Sequence, residues 1–136
     1  MKRVVALDVG SVRIGVAVSD PLGVFAQGIA VLSAQGNWLS ELKKIIDKYN
    51  NPKLVIGLPK RTDGKEGPEA KKMREWASQI KEEFPDIEIE FIDERYTTSI
   101  AQRTLLEANV SRYSRKQKID KIAATLILQS YLDRMR

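Results

Sequence analysis

The sequence predicts one α/β domain over residues 1–136, built on a five-stranded mixed sheet with helices on both faces. Two observations predict this fold. Three strand-like segments follow one another closely near the start, which favours an antiparallel meander. Apolar residues then recur at helical spacing in segments that alternate with two further short strands, a pattern typical of parallel strands joined by helical crossovers.

The meander is predicted at residues 2–9, 13–19 and 24–32. The second segment alternates apolar and small residues with a period of two, as a strand does. Between the second and third segments, the run Asp20-Pro21-Leu22-Gly23 is a turn signal. The first segment is apolar except for Asp8 and is therefore expected to be a central, buried strand.

The remaining predicted elements alternate between helix and strand. In chain order they are a helix capped by Asn37, a strand at 53–58, a helix beginning at Pro68, a strand at 87–92, and two helices opened by the capping boxes Ser99/Gln102 and Ser114/Gln117, the last running to about Asp133. Right-handed crossovers place the fourth and fifth strands beyond the first. The predicted sheet order is 3-2-1-4-5, which is that of the ribonuclease H-like fold.

Composition excludes several kinds of chemistry. The chain has no cysteine and no histidine, so disulfides, thiol nucleophiles, Ser-His-Asp triads and histidine-ligated zinc are all excluded. No stretch approaches the ~20 apolar residues of a membrane span. The apolar run that follows the basic start is broken by Asp8 and is too short for the core of a signal peptide. We expect a cytoplasmic protein without a membrane partner.

Positive charge is concentrated near the end of the chain. From Ser111 onward there are seven cations and two acids, an excess that equals the net charge of +5. Such an excess favours a polyanionic partner. The alternative is a solvated basic helix that only aids solubility.

Three segments carry carboxylates that suit metal chemistry. Asp8 ends an apolar strand, where a carboxylate is costly without a partner. Glu94 follows the fifth strand, at the sheet edge where ligands bind in open α/β sheets. Asp120 lies on the margin of the apolar face of the last helix. Each acid could instead have a purely structural role: in a hairpin turn for Asp8, in an ion pair with Arg95 for Glu94, and in a favourable contact with the helix dipole for Asp120.

Taken together, the three acids predict a site for Mg²⁺ or Mn²⁺. Three converging carboxylates repel one another unless cations neutralise them, and two divalent ions about 4 Å apart would do so. Asp8 would bridge the ions and Glu94 and Asp120 would complete their ligands. Water would attack a phosphodiester in line, leaving a 5′-phosphate and a 3′-hydroxyl.

Basic and hydroxyl side chains near the acids are expected to hold the nucleic-acid backbone. The glycine-rich loop after the fourth strand would close over it, unless it is an ordinary surface loop. The predicted nucleic-acid-binding residues are Arg13, Lys60, Arg61, Arg95, Thr97, Thr98, Arg115 and Lys116.

Several motifs together resemble a known family. They are Leu7-Asp8-Val9-Gly10 with residues 13–20, Gly57-Leu58-Pro59 with Asp63-Gly64, Asp93-Glu94-Arg95 with Thr97-Thr98, and Asp120 with residues 123–124 and 127–132. The chain resembles the YqgF/RuvX family of Holliday-junction-resolvase-like proteins and pre-16S rRNA nucleases. The resemblance implies a ribonuclease H-like fold, metal-binding acids at Asp8, Glu94 and Asp120, and a role in maturing the 5′ end of 16S ribosomal RNA.

Other functions stay open at this point. A junction-specific DNA resolvase would act as a dimer, because a four-way junction needs two symmetric cuts. A non-catalytic RNA-binding assembly factor would bind RNA without metal or the three acids. An ATP-binding protein of the actin and sugar-kinase class shares the Asp-x-Gly signal. The expected partner is pre-rRNA, with branched DNA as the alternative, and the expected oligomeric state is a monomer or a homodimer.

Overall fold

The computed structural model describes residues 2–10, 12–58, 67–93 and 112–135. Its elements in chain order are β1 (Val4–Val9), β2 (Arg13–Ser19), β3 (Ala26–Ser33), α1 (Trp38–Lys48), β4 (Lys53–Leu58), α2 (Pro68–Glu83), β5 (Ile89–Asp93) and α3 (Arg112–Met135). The helix predicted from Ser99 and Gln102 lies outside the described residues. No helix in the described part of the chain is long and apolar enough to cross a bilayer.

The strands of the described residues form one five-stranded sheet in the order β3-β2-β1-β4-β5. β1 pairs antiparallel with β2, and β2 pairs antiparallel with β3. On the other side, β1 pairs parallel with β4, and β4 pairs parallel with β5. The predicted order and the mixed character of the sheet are therefore confirmed, and β1 is the central strand.

Helices cover both faces of this sheet. Side chains alternate along a strand, so Val5 and Leu7 of β1 face α1 and α2, whereas Ala6 faces α3. Leu42 of α1 and Ile80 of α2 are fully buried on the first face. Burial of each such aliphatic side chain contributes ~1.5–3 kcal/mol. Two apolar layers, one on each face, hold the sheet in place.

Small residues let α3 approach the sheet closely. Ala6, Ala17 and Ala124 are fully buried in the layer beneath it. At Gly28 of β3 the contact is tighter still, because an added Cβ would lie 3.1 Å from Oγ1 of Thr125 and 3.3 Å from the carbonyl oxygen of Lys121. The position of α3 over β3 therefore depends on a residue without a side chain.

The amide of Gln129 ties α3 to the beginning of β3. Its Oε1 accepts a hydrogen bond from the backbone N–H of Ala26 at 3.0 Å, and its Nε2 donates to the carbonyl of Val24 at 2.8 Å. Nε2 also donates to Oδ1 of Asp133 at 3.0 Å. One side chain thus satisfies two backbone groups more than a hundred positions away in the sequence.

Replacing Gln129 with leucine is expected to lower the free energy of unfolding by ~1–3 kcal/mol, because Val24 and Ala26 lose their partner. Urea unfolding should show a lower midpoint with an unchanged slope. The matched control is Gln79→Leu, at an exposed position of α2, which should change stability by less than ~0.5 kcal/mol. Equal shifts in the two variants would contradict the role given to Gln129.

The predicted start of the third strand is wrong by two residues. We expected the strand from Val24, but β3 begins at Ala26. The Asp20 carboxylate accepts hydrogen bonds from the backbone N–H groups of Val24 and Phe25 at 2.7 and 3.0 Å. These bonds extend the turn, and the bond from Phe25 lowers the pKa of Asp20.

Three other local expectations need correction. β5 begins at Ile89 rather than at position 87, because the N–H of Ile87 bonds back to the carbonyl of Phe84 in a turn. α3 already runs from Arg112, so Ser114 lies inside its first turn and does not cap it. Asn37 precedes α1 without a side-chain capping bond; its backbone carbonyl accepts from the N–H of Glu41 instead.

Candidate metal and nucleic-acid site

Asp8 lies near the end of the central strand. It is half-buried and pairs with Gly15 of β2. Because side chains alternate along β1, Asp8 shares the face of Ala6 and lies on the α3 side of the sheet, opposite to Leu7. The carboxylate of Asp8 therefore lies where the apolar central strand reaches the end of the sheet.

The same edge collects the ends of the parallel strands. Leu7 of β1 is level with Ile56 of β4, which is level with Phe91 of β5. Since these strands run in one direction, their carboxyl ends meet at one edge, the usual place for ligands in α/β sheets. β5 ends there with Asp93, paired with Leu58.

A tight hairpin joins Asp8 to Arg13. The N–H of Gly10 bonds to the carbonyl of Arg13 at 2.8 Å. A Cβ on Gly10 would lie 2.9 Å from that oxygen, closer than real Cβ atoms come. The space beside Gly10 is taken by the carbonyl of Arg13, so glycine is needed for the hairpin itself.

Arg13 accompanies Asp8 on the same face and edge. It opens β2 opposite Ser33 of β3 and stands two residues before Gly15, the partner of Asp8. Residues two apart on a strand share a face, so Arg13 also lies on the α3 side. A guanidinium and a carboxylate at one edge suit a phosphodiester and its counter-cation.

α3 carries position 120 toward that edge. Near the end of α3, Tyr131 hydrogen-bonds to Lys53, which lies at the start of β4 and therefore at the end of the sheet opposite to Asp8. Earlier in the helix, Lys121 lies next to Gly28, which is nearer the middle of the sheet. Followed back toward its first residue, the helix therefore approaches the end of the sheet where Asp8 lies. Asp120 directly precedes Lys121, so its backbone belongs to the part of α3 that leads toward that end of the sheet.

Of the other predicted site residues, the structure describes the backbone of two and leaves the rest outside the described ranges. Arg115 and Lys116 belong to the first turns of α3. Glu94, Lys60, Arg61, Arg95, Thr97 and Thr98 lie outside the described residues. Among the residues that the structure does describe, no three carboxylates form a metal-binding group. The assembly of Asp8, Glu94 and Asp120 therefore stays a prediction.

The opposite edge holds a polar cluster that sequence reasoning missed. Nζ of Lys53 donates to Oη of the buried Tyr131 at 2.7 Å and lies 3.4 Å from Glu90 and 3.5 Å from Glu88. The hydrogen bond with Tyr131 raises the pKa of Lys53. No local signal reveals the cluster, because Lys53 and Tyr131 are 78 positions apart. It joins α3 to β4 and β5, far from Asp8.

A cleft of about 460 Å³ opens between α1 and α2. Trp38, Lys43 and Phe84 are among the residues that line it. Because α1 and α2 cover the other face of the sheet, this cleft does not belong to the site at Asp8.

Comparison with known proteins identifies relatives along nearly the whole chain. A protein of Clostridium botulinum named "Putative pre-16S rRNA nuclease" is 49% identical over 133 residues, covering 96% of each chain. A protein of Clostridium kluyveri with the same name is 47% identical over 135 residues, covering 98% of each.

Solved structures with the same fold include the following two. The fowlpox virus resolvase with Holliday junction DNA has a TM-score of 0.52 at 16% identity, with 98% of each chain covered. RuvC of T. thermophilus with a Holliday junction substrate has a TM-score of 0.51 at 13% identity, with 99% of this chain and 96% of that one covered. These likenesses confirm the ribonuclease H-like fold. The family model of RuvX, described as Holliday junction resolvase, matches residues 2–134, and the chain therefore belongs to the RuvX (YqgF) family.

Proposed function

We propose that this protein is a divalent-metal-dependent nuclease that hydrolyses phosphodiester bonds in the 5′-end maturation of pre-16S rRNA. The observation that carries the proposal is Asp8, a carboxylate at the end of the central strand, on the α3 face and beside Arg13. Relatives at 47–49% identity, named for pre-16S rRNA, support the choice of substrate.

The residues fit a divalent cation such as Mg²⁺ or Mn²⁺. Carboxylate oxygen is a hard ligand that these ions prefer, and the half-buried Asp8 supplies it at the sheet edge. We assign Glu94 and Asp120 as the further ligands. Cations held there would neutralise charge on the attacking and leaving oxygens of an in-line displacement.

The protein's own side chains would position the substrate. Arg13 stands on the same face as Asp8 and would pair with a phosphate oxygen beside the scissile bond. We assign Arg95, Arg115, Lys116, Lys60 and Arg61 to neighbouring phosphates, and Thr97 and Thr98 to hydrogen bonds with the backbone. Phosphate contacts fix position without reading sequence. Specificity for one cut would then come from the shape of the RNA.

The proposed location is the cytoplasm, where precursor rRNA is processed. The proposed partner is RNA, drawn to the basic excess of α3, in which Lys121 and Arg134 are exposed. Binding should weaken as salt rises, because contacts with phosphates release counterions.

The decisive experiment compares two labelled substrates, a precursor fragment spanning the 5′ end of 16S rRNA and a four-way DNA junction. Each is incubated with the protein in Mg²⁺, Mn²⁺ or EDTA, beside Asp8→Ala. We expect metal-dependent cutting of the RNA that is lost in EDTA and in the variant. Products should carry a 5′-phosphate. RNA binding without cutting in any metal would instead indicate a non-catalytic assembly factor.

A DNA junction resolvase is the second candidate, favoured by the description of the family model. It predicts cutting of the four-way junction in preference to the RNA, by two symmetric incisions. The family assignment over residues 2–134 disfavours the actin and sugar-kinase class.

A further inference from the structure

Both tryptophans of the chain lie at the cleft between α1 and α2. Trp38 lines the cleft, and its ring packs on that of Trp76, with 4.5 Å between the ring centroids and 34° between the ring planes. Both side chains are only partly buried, although they pack against the apolar core. An aromatic ring that is held in place and still open to solvent is a typical anchor for a ligand.

Polar side chains surround this aromatic wall. Lys43 of α1 and Gln79 and Glu83 of α2 line the same cleft and are exposed. The volume of about 460 Å³ lies within the range of small-molecule sites. Proteins recognise an unpaired nucleotide by stacking its base on an aromatic ring and hydrogen-bonding its edge, while a cation pairs with its phosphate. The cleft offers a group for each of these contacts.

The mouth of the cleft is connected to the candidate site through the end of β3. Arg13 is paired with Ser33, and the carbonyl of Ser33 accepts a hydrogen bond from the N–H of Gly36 at 3.2 Å. Gly36 lines the cleft. A strand pair and a four-residue turn together span at most about 12 Å between Cα atoms, a length that about four stacked nucleotides cover. One single strand can therefore reach both Arg13 and the cleft.

α2 offers a cation on the way from the site to the cleft. The helix connects the parallel neighbours β4 and β5, so it runs back from the end of the sheet that carries Asp8. Lys72, Trp76 and Gln79 recur at helical spacing and share one side of α2. Lys72 is exposed and lies nearest of the three to the beginning of the helix. A phosphate between the two places would meet this ammonium group.

We propose that the cleft between α1 and α2 binds one nucleotide of a single-stranded segment of the RNA, a few positions from the phosphate held at Asp8. The base stacks on Trp38, and Gln79 and Glu83 meet its edge. Lys43 pairs with the adjoining phosphate. The inference rests on the proposed function, which supplies the RNA. Because a base inside a double helix cannot enter the cleft, the protein would favour precursors with unpaired nucleotides beside the cut.

The test uses tryptophan fluorescence, which reports on the cleft because the chain has no tryptophan other than Trp38 and Trp76. A short single-stranded RNA is titrated in EDTA at physiological salt, beside a duplex of the same sequence. We expect saturable quenching by the single strand and little by the duplex. Lys43→Ala should raise the dissociation constant about fivefold or more. The matched control is Lys44→Ala, which removes the neighbouring charge, paired with Glu41, and should leave the constant unchanged.

A second pair of variants addresses the stacking. Trp38→Leu should raise the dissociation constant of a labelled single strand about fivefold or more, whereas Trp38→Phe keeps an aromatic face and should recover most of the loss. Circular dichroism verifies that each variant is folded.

Three outcomes would overturn the proposal: quenching by neither RNA, equal quenching by the duplex, or equal constants in the two lysine variants. Saturation by free guanosine monophosphate as tightly as by RNA would also overturn it and assign the cleft to a free nucleotide. Metal-dependent cutting without quenching would remove the cleft and leave the proposed function intact. Quenching by the single strand without cutting in any metal would keep the cleft and remove the nuclease.

Discussion

Asp8→Asn is expected to lower the rate of RNA cleavage about 10³-fold, the scale of losing one essential group of a catalytic site. Asparagine keeps the shape of the side chain but removes the negative charge that would hold a divalent cation. The substitution lies at the end of β1 and does not change the size of any core side chain, so the free energy of unfolding should change by less than ~1 kcal/mol. Single-turnover cleavage and urea unfolding measure the two effects.

The control for this prediction is Asp47→Asn, which removes an identical charge from an exposed position of α1. Its cleavage rate should equal that of the natural protein. A thermal shift on adding Mn²⁺ provides a second reading, since a cation that binds the folded state raises its stability. That shift should disappear in Asp8→Asn only. An undiminished rate in Asp8→Asn would remove Asp8 from the catalytic machinery and the proposed function with it.

Gly28→Val is expected to reduce cleavage although Gly28 is not itself a predicted ligand. Any Cβ at this position meets Oγ1 of Thr125 at 3.1 Å and the backbone of Lys121. The helix must yield, and overpacking of this kind costs ~1–3 kcal/mol. The displaced segment includes Asp120, and a ~1 Å misplacement can cost about 10²-fold in rate. We therefore expect a loss of rate larger than the unfolded fraction explains.

Two further variants separate position from stability. Gln27→Val places the same side chain at the preceding, exposed position of β3 and should leave the cleavage rate unchanged. Thr125→Ala, combined with Gly28→Ala, removes the nearest contact and should recover part of the rate lost in Gly28→Ala alone. If Gly28→Val were less stable yet cleaved at the natural rate, the seating of α3 would be independent of the site.

The sheet could be predicted because its signals are local. β2 and β4 begin and end where their apolar patterns do, at Arg13–Ser19 and Lys53–Leu58. The short connections within the meander and the handedness of the crossovers then leave few orders open. The errors fell where a contact overrides propensity, such as the Asp20 carboxylate that draws Val24 into a turn.

The site could be predicted only in part, because its geometry also depends on contacts between distant parts of the chain. The position of Asp8 after an apolar run marks it as unusual, but the sequence does not say which helix covers its face. That follows from Ala6 and Ala124 packing together, a contact between distant parts of the chain. The closeness of Gly28 to Lys121 and the bonds of Gln129 to β3 are equally non-local. Packing, rather than the sequence pattern, therefore decides which helix covers the face of the sheet that carries Asp8.

The placement of α3 also bears on how the protein is made. The antiparallel strands β1, β2 and β3 are neighbours in the chain, so they can pair early, whereas the face of Ala6 and Ala17 waits for a helix more than a hundred residues later. Contacts of such separation form slowly. Until α3 has left the ribosome, that apolar face is open to aggregation. The side of the sheet that carries Asp8 is closed by the last described element to be synthesised, so a nascent chain would not cut RNA before its own synthesis is nearly finished.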